Sequence, residues 1–322
     1  MNIFDLKTEE EFNEACISVF NQQVENITVY KEFVEGLKVN TNTINHYRQI
    51  PFLPIQFFKS HAIISDESKS EITFTSSGTT GSVTSAHFVE NVNLYEESYL
   101  TAFNRFYGDI ADWCILALLP NYSEREGSSL IYMVDDLIQK SKHHNSGYFL
   151  HNHEDLHHTL LQLKAKKQKT LLIGVTYALL DFVEKKAIDF PKLTVMETGG
   201  MKGKRKEMVR EELHQVLCAG FGIEKIHSEY GMTELLSQAY SKGDGIFDCP
   251  PWMKILIRDT NDPLTLIDNN KTGGINVIDL ANINSCSFIA TQDLGKIIKN
   301  DSFEVLGRFD NSDIRGCNLL VG

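Results

Sequence analysis

Four short stretches gather hydroxyl, carboxylate, aromatic and glycine residues in patterns that suit chemistry on an oxyanion. Directly after the strand-like run Glu-Ile-Thr-Phe comes Thr75-Ser76-Ser77-Gly78-Thr79-Thr80-Gly81. Glycines let backbone N–H groups approach phosphate oxygens and hydroxyls add donors, so Ser76, Ser77, Gly78, Thr79, Thr80 and Gly81 are fitted to cradle a polyphosphate. The loop lacks the G-x-x-x-x-G-K-[ST] pattern and is not a Walker A loop. A surface turn of small residues has the same composition.

The second stretch, Glu229-Tyr230-Gly231-Met232-Thr233-Glu234, closes the strand-like segment 224–228, where open α/β sheets bind their ligands. The Tyr230 ring can stack on a base, Thr233 can bond a phosphate oxygen, and the Glu234 carboxylate can hold Mg²⁺ through hard oxygen ligation. The plainer alternative is a strand-to-helix turn with Thr233 or Glu234 near a helix cap. Third, Gly199-Gly200 follows another strand-like run and precedes Lys202, Lys204, Arg205 and Lys206. Cations at a helix start oppose the helix dipole, so these four either meet an anion or lie solvated. Fourth come Thr291-Gln292-Asp293-Leu294-Gly295 and Gly307-Arg308-Phe309-Asp310-Asn311-Ser312-Asp313, each of which also reads as a turn between strands.

The elements that would position these residues follow from periodicity. Apolar residues at helical spacing over 8–38 predict a helical entry, and the two prolines within 51–60 predict a buried extended arm. Strand-like runs at 71–75, 112–119, 169–174, 192–197 and 224–228 interleave with helix-like runs at about 93–107, 127–140, 154–168, 176–187 and 204–219. That alternation predicts an α/β sheet with helices packed on it. Beyond about 237, short β-rich runs separated by Asn, Asp and Gly predict a small β-rich, barrel-like subdomain.

Composition narrows the function classes. The formal charge of −12 disfavours a broad nucleic-acid or membrane surface, because both partners are polyanionic. No apolar run approaches the roughly 20 residues of a membrane span, and the acidic start MNIFDLKTEEEF is unlike a signal peptide. A cytoplasmic location is expected. The six cysteines form no C-x-x-C pair and read as free thiols. His143, His144, His151, His153, His157 and His158 crowd one segment, but no cysteine or ligand motif accompanies them, so a solvated segment is expected.

The order of these motifs along 75–316 resembles the adenylate-forming superfamily of acyl-CoA synthetases and luciferases. The segments PFLPIQFFKS, LLPNYSEREGSSLIYM and TGGMKGKRKE look like the acyl-protein synthetase branch of the LuxE type. The resemblance implies an α/β fold of stacked sheets, the superfamily's N-terminal domain, over 1–306, with the β-rich subdomain at about 237–306. Residues 307–322 would be a hinge and truncated tail, with the C-terminal lid domain missing. It further implies that 75–81 cradles the ATP phosphates, that Gly199, Gly200 and Gly231 belong to the nucleotide-binding residues, and that Tyr230 packs on adenine. Thr233 would contact the AMP phosphate, Glu234 Mg²⁺, Asp293 the ribose hydroxyls and Arg308 the nucleotide. The implied reaction converts a carboxylic acid, fatty or otherwise acyl, to acyl-AMP and passes the acyl group to a thiol on an acceptor protein or CoA.

LuxE-type synthetases carry the acyl group on a cysteine near the C-terminus, and the resemblance points to Cys317; a small residue filling a gap after Gly316 is the alternative. Two other readings stay open: a phenylacetate-CoA-like ligase, and a nucleotide- or partner-binding module without turnover. Gly81 is followed by Ser82-Val83-Thr84 instead of the Pro-Lys common elsewhere in the superfamily, a departure that fits the LuxE-like and phenylacetate-CoA-ligase-like branches better.

Overall fold

The computed structural model describes residues 2–76, 84–200, 205–206, 208–299 and 301–309. Its contacts divide the chain into two compact units. One comprises the described residues of 72–84 and Val92–Phe247; the other comprises the residues up to Glu71, Ser85–Asn91 and the described residues from Asp248 onward.

The first unit is an α/β sheet. Cys114–Leu118, Thr170–Val175, Leu193–Thr198 and His227–Tyr230 run parallel in that spatial order, with the short Gly147–Tyr148 beside Cys114–Leu118. Ala239–Ser241 then pairs antiparallel with His227–Tyr230. Every residue of Cys114–Leu118 and Thr170–Val175 is buried, as expected of strands covered on both faces. The crossovers are the helices Ser129–Ser141, His153–Lys166, Thr176–Val183 and Arg210–Phe221. Four of the five strand-like runs expected from the sequence lie in this sheet within a few residues; the fifth, at 71–75, becomes the strand Ile72–Thr75. The last helix starts six residues later than expected, at Arg210. The anion that Arg205 meets is internal: its guanidinium is clamped by Asp181 and Glu184.

The second unit is built on an antiparallel meander, Met253–Arg258, Gly273–Asp279, Phe288–Ile297 and Phe303–Arg308. Among the described residues the path is open, with Met253–Arg258 at its end, so the barrel-like expectation is replaced by an open sheet. The N-terminal segment packs in this unit. Thr8 and Glu11 form a capping box that starts the helix Glu9–Asn26. Its buried stripe is Phe12, Ala15, Cys16, Val19, Phe20 and Gln23. The expected single helical stretch breaks at Ile27, whose extended backbone caps a second helix, Thr28–Gly36. The proline arm is extended only over Leu53–Pro54, which adds parallel to Ile289–Ala290, and then coils into a 3₁₀ turn at Ile55–Lys59. Phe20, Tyr30 and Phe52 converge on Phe288 with ring centroids 6.2–6.3 Å away.

Gln23 ties this helix to residues 259 and more positions away. Its fully buried carboxamide donates to Asn282 O, Ile283 O and Ser287 Oγ at 3.0 Å each and accepts from Ser287 N at 3.1 Å. Gln23→Leu keeps the volume and strands these backbone groups. Each unmet buried group costs about 1–3 kcal/mol, so urea denaturation is expected to show a loss of roughly 3 kcal/mol. An unchanged midpoint would remove Gln23 from the set of structural anchors.

Candidate functional site

The parallel strands deliver two of the motifs side by side. Met196 pairs with His227 and Glu197 with Ser228, so Thr198 and Glu229 reach the carboxyl ends of adjacent strands at one level. There the Thr198 hydroxyl donates to Glu229 Oε2 at 2.6 Å. Gly199 and Gly200 follow at φ 71° and 61°. Two successive left-handed residues turn the chain sharply off the strand, a conformation that side-chain-bearing residues adopt only with strain.

On the neighbouring strand, alternation sends Tyr230 to one face and Glu229 and Gly231 to the other. Tyr230 is 8% exposed and its ring meets Phe247 edge-on at 6.0 Å, and the Arg210 guanidinium lies over the Phe247 ring, 5.5 Å from its centroid. A β-carbon at Gly231 would strike Glu229 Oε1 and lie 3.3 Å from Gln238 Cγ. No helix follows this motif: Leu235 N closes a turn on Met232 O at 3.1 Å and the chain returns as Ala239–Ser241. The helix-cap alternative for Thr233 and Glu234 is therefore set aside, and the Glu234 side chain is buried at 5% exposure.

Beneath Gly199 the half-buried Glu197 carboxylate accepts from Ser228 Oγ at 2.8 Å and Thr176 Oγ1 at 3.0 Å, and His214 Nε2 lies 3.7 Å away. The last distance is too long for a hydrogen bond, and His214 Nε2 has no such partner. Burial pushes the Glu197 carboxyl upward, but His214, the Ser228 hydroxyl and the charge of Arg210 outweigh it and hold the group below its ordinary value. Thr176, Glu197 and Ser228 thus tie three neighbouring strand ends together, with His214 alongside. Sequence reasoning missed this network, because isolated Thr, Ser and His residues carry no local signal.

In the meander unit, Asp293 and Arg308 sit opposite each other on paired strands, and Arg308 Nε donates to Asp293 Oδ1 at 3.1 Å. Asp293 N donates to Thr291 Oγ1 at 3.1 Å, and Thr291 Oγ1 to Ile275 O at 2.9 Å. The buried Arg258 guanidinium holds Thr291 O, Ile275 O and Asn276 Oδ1 and lies 5.5 Å from the Phe309 ring. Arg258 was not singled out in the sequence, although it fixes the strand that carries Asp293.

Ser76 ends the strand Ile72–Thr75, whose Thr75 N donates to Gly127 O at 2.7 Å. Ser77, Gly78, Thr79, Thr80, Gly81 and Cys317 lie outside the described residues. Among the described residues no three His, Cys, Asp or Glu side chains are arranged to hold a metal ion. His143 and His144 stack at 4.7 Å, His151 meets Glu124 at 3.0 Å and His153 packs on Phe182. Among the described residues no helix is long and apolar enough to cross a membrane.

Solved structures share this fold. An open conformation of 2-hydroxyisobutyryl-CoA ligase, in complex with 2-HIB-AMP and CoA, superposes with a TM-score of 0.67 at 10% identity, over 94% of this chain and 70% of that one. ATP-bound MatB from Rhodopseudomonas palustris gives 0.56 at 18% identity, over 76% and 49%. A long-chain-fatty-acid-CoA ligase, FadD1 from Archaeoglobus fulgidus, gives 0.52 at 14% identity, over 77% and 53%. The fold is shared with these solved structures. The chain spans about half the length of the MatB structure. No family model and no curated protein sequence matches it.

The Glu197 network makes a signed pH prediction. A carboxyl held below its ordinary value of 4.5 contributes stability that is present above about pH 4.5 and lost as pH falls through the depressed value. Glu197→Gln is expected to be less stable by about 1–3 kcal/mol at pH 7, with the gap to wild type closing in acid. A gap that stays constant from neutral pH to pH 3 would mean that Glu197 is not a carboxylate held by this network.

Proposed function

We infer that this chain activates a carboxylic acid with ATP, forming acyl-AMP and pyrophosphate, and transfers the acyl group to a thiol in the manner of a LuxE-like acyl-protein synthetase. The observation that carries this reading is the side-by-side delivery of the Gly199-Gly200 turn and the Tyr230–Glu234 turn at the carboxyl ends of adjacent parallel strands. Ligands of open α/β sheets bind there, and MatB, which shares the fold, was solved with ATP bound.

In this reading the substrate carboxylate attacks the α-phosphorus and pyrophosphate leaves. Tyr230 packs on adenine, Thr233 bonds the α-phosphate, Asp293 holds the ribose hydroxyls and Arg308 bonds the nucleotide. Mg²⁺ is commonly held by one or two carboxylates together with substrate phosphates, so the single buried Glu234 suits it, and the ion would offset charge on the phosphates. Ser76, Ser77, Gly78, Thr79, Thr80 and Gly81 complete the phosphate cradle. The unpaired thiols among the described residues fit a cytoplasmic enzyme.

Glu234→Gln removes the charge without changing size. Acid-dependent ATP–pyrophosphate exchange is expected to fall on the order of a hundredfold, as for loss of one strong electrostatic contact. Exchange equal to wild type would end the Mg²⁺ role.

The acceptor thiol is assigned to Cys317. Among the described cysteines, burial raises the thiols of Cys16, Cys114, Cys218, Cys249 and Cys286, with Cys114 at about 11 and Cys286 at about 12, so each is a poor source of thiolate. Intact-mass spectrometry after incubation with ATP and an accepted acid is expected to show a hydroxylamine-labile adduct that Cys317→Ser abolishes. An adduct that persists in the variant eliminates Cys317. Free CoA is the second reading of the acceptor, favoured by the CoA seen in the 2-hydroxyisobutyryl-CoA ligase complex; it predicts acyl-CoA in solution and no protein adduct.

A further inference from the structure

Within the sheet unit, the residues given a part in adenylation are hydroxyls, glycines, an aromatic ring and a carboxylate, and none of them carries positive charge. ATP and the acid are both anions, and charge that gathers on a leaving phosphoryl group is commonly met by Arg, Lys or a metal ion. The turn that follows the strand Cys114–Leu118 brings a cation to the same end of the sheet.

Beyond Pro120 the chain forms a 3₁₀ turn, Tyr122–Glu124, whose carboxylate is engaged locally. Glu124 Oε2 accepts from Asn121 N at 2.8 Å, and Oε1 lies 3.0 Å from His151 Nε2. Arg125 comes next; it is half-buried and makes no hydrogen bond or ion pair with a described residue. Arg205, by contrast, is clamped by two carboxylates. Two positions after Arg125, Gly127 O accepts from Thr75 N at 2.7 Å. Gly127 has φ 78°, and a β-carbon there would lie 2.9 Å from Thr75 Oγ1, so this glycine lets the turn close on the root of the 76–81 loop.

The neighbouring strand fixes the other side. Leu118 pairs with Gly174, and just beyond, Tyr177 lies in the first turn of the helix Thr176–Val183. Burial and Asp181 push the Tyr177 phenol up, and the Arg125 charge opposes them. Thr176 is bonded to Glu197, next to the Gly199-Gly200 turn. Arg125 thus stands at the carboxyl ends of the strands, between the root of the 76–81 loop and the strand ends that carry Gly199 and Tyr230. The helix Ser129–Ser141 also begins four residues after it. A positive charge beside two helix starts opposes both dipoles. No described carboxylate pairs with it, and the 76–81 loop has no acid in its sequence.

Resting on the adenylation reading, we propose that Arg125 holds the β- and γ-phosphates of ATP and stabilises them as pyrophosphate leaves. As the acid's oxygen bonds to the α-phosphorus, the bond from that phosphorus to the α–β bridging oxygen breaks, and its electron pair departs with pyrophosphate. A guanidinium offers paired N–H donors that match two phosphate oxygens. The phosphates, and not the acid's carboxylate, are the anion assigned here because the same turn anchors the root of the loop that cradles them.

The test measures binding of inorganic pyrophosphate with Mg²⁺ by calorimetry, together with ATP–pyrophosphate exchange, in wild type, Arg125→Gln and Arg125→Lys. Arg125→Gln is expected to weaken pyrophosphate binding and raise its KM by about tenfold or more, as for loss of a charged hydrogen bond, while the KM for the acid stays within about twofold. Arg125→Lys keeps the charge without the fork and is expected to recover part of the loss. The Tm of both variants is expected to stay within about 2 °C of wild type, because Arg125 bonds no described residue. Unchanged pyrophosphate constants in Arg125→Gln, which would make Arg125 a solvated cation, would overturn the proposal. So would a KM shift confined to the acid, or a loss in both variants that follows a fall in Tm. Any of these with exchange intact in wild type sinks this inference alone. If wild type supports exchange with no acid, the adenylation reading falls and the leaving-group role falls with it.

Discussion

The hydrogen bond from Thr198 to Glu229 depends on one register, Glu197 opposite Ser228 in adjacent parallel strands. A slip of one residue would send Thr198 and Glu229 to opposite faces and break both that bond and the Glu197–Ser228 contact beneath it. Because the register holds, the double-glycine turn and the Tyr230 turn leave the sheet at the same height. The Glu197 carboxylate reinforces it by drawing a hydroxyl from each neighbouring element, Thr176 on one side and Ser228 on the other. The strand ends are rigid so that the turns beyond them can be placed.

The meander unit solves the same problem with a cation. Arg258 is buried on one strand and reaches the carbonyls of Ile275 and Thr291 on the next two. A buried guanidinium is costly unless its donors are met, and here the backbone meets them where the antiparallel pairing is irregular, between Gly274 and Asn276. The irregularity that frees those carbonyls and the arginine that satisfies them stabilise each other. Together they hold Thr291, whose hydroxyl in turn accepts from Asp293 N.

Much of the fold was legible because alternation of apolar runs and amphipathic helices is a local property. The parallel strands at 112–119, 169–174, 192–197 and 224–228 were visible from their apolar character, and the turn at Gly199-Gly200 from the glycines that left-handed backbone requires. What stayed hidden depends on distance in the chain. Nothing in Gln23 announces a partner at Asn282, and nothing in Arg258 announces Thr291. Arg205 could be read only as meeting an anion or lying solvated, because its carboxylate partners, Asp181 and Glu184, lie at the end of a preceding helix. The Tyr230–Glu234 motif was read correctly as a strand end, but its continuation into an antiparallel strand instead of a helix was decided by pairing with His227–Tyr230, which local pattern does not encode.

Solved structures that share the fold include MatB with ATP bound and 2-hydroxyisobutyryl-CoA ligase in complex with 2-HIB-AMP and CoA. The central claim is that the acid's own oxygen becomes bonded to the α-phosphorus of ATP. Incubation with an ¹⁸O-carboxylate acid, ATP and an acceptor thiol, followed by mass spectrometry of the nucleotide products, tests it directly. The account predicts AMP that carries one ¹⁸O from the acid. Label appearing in inorganic phosphate alongside ADP, or unlabelled AMP, would contradict it.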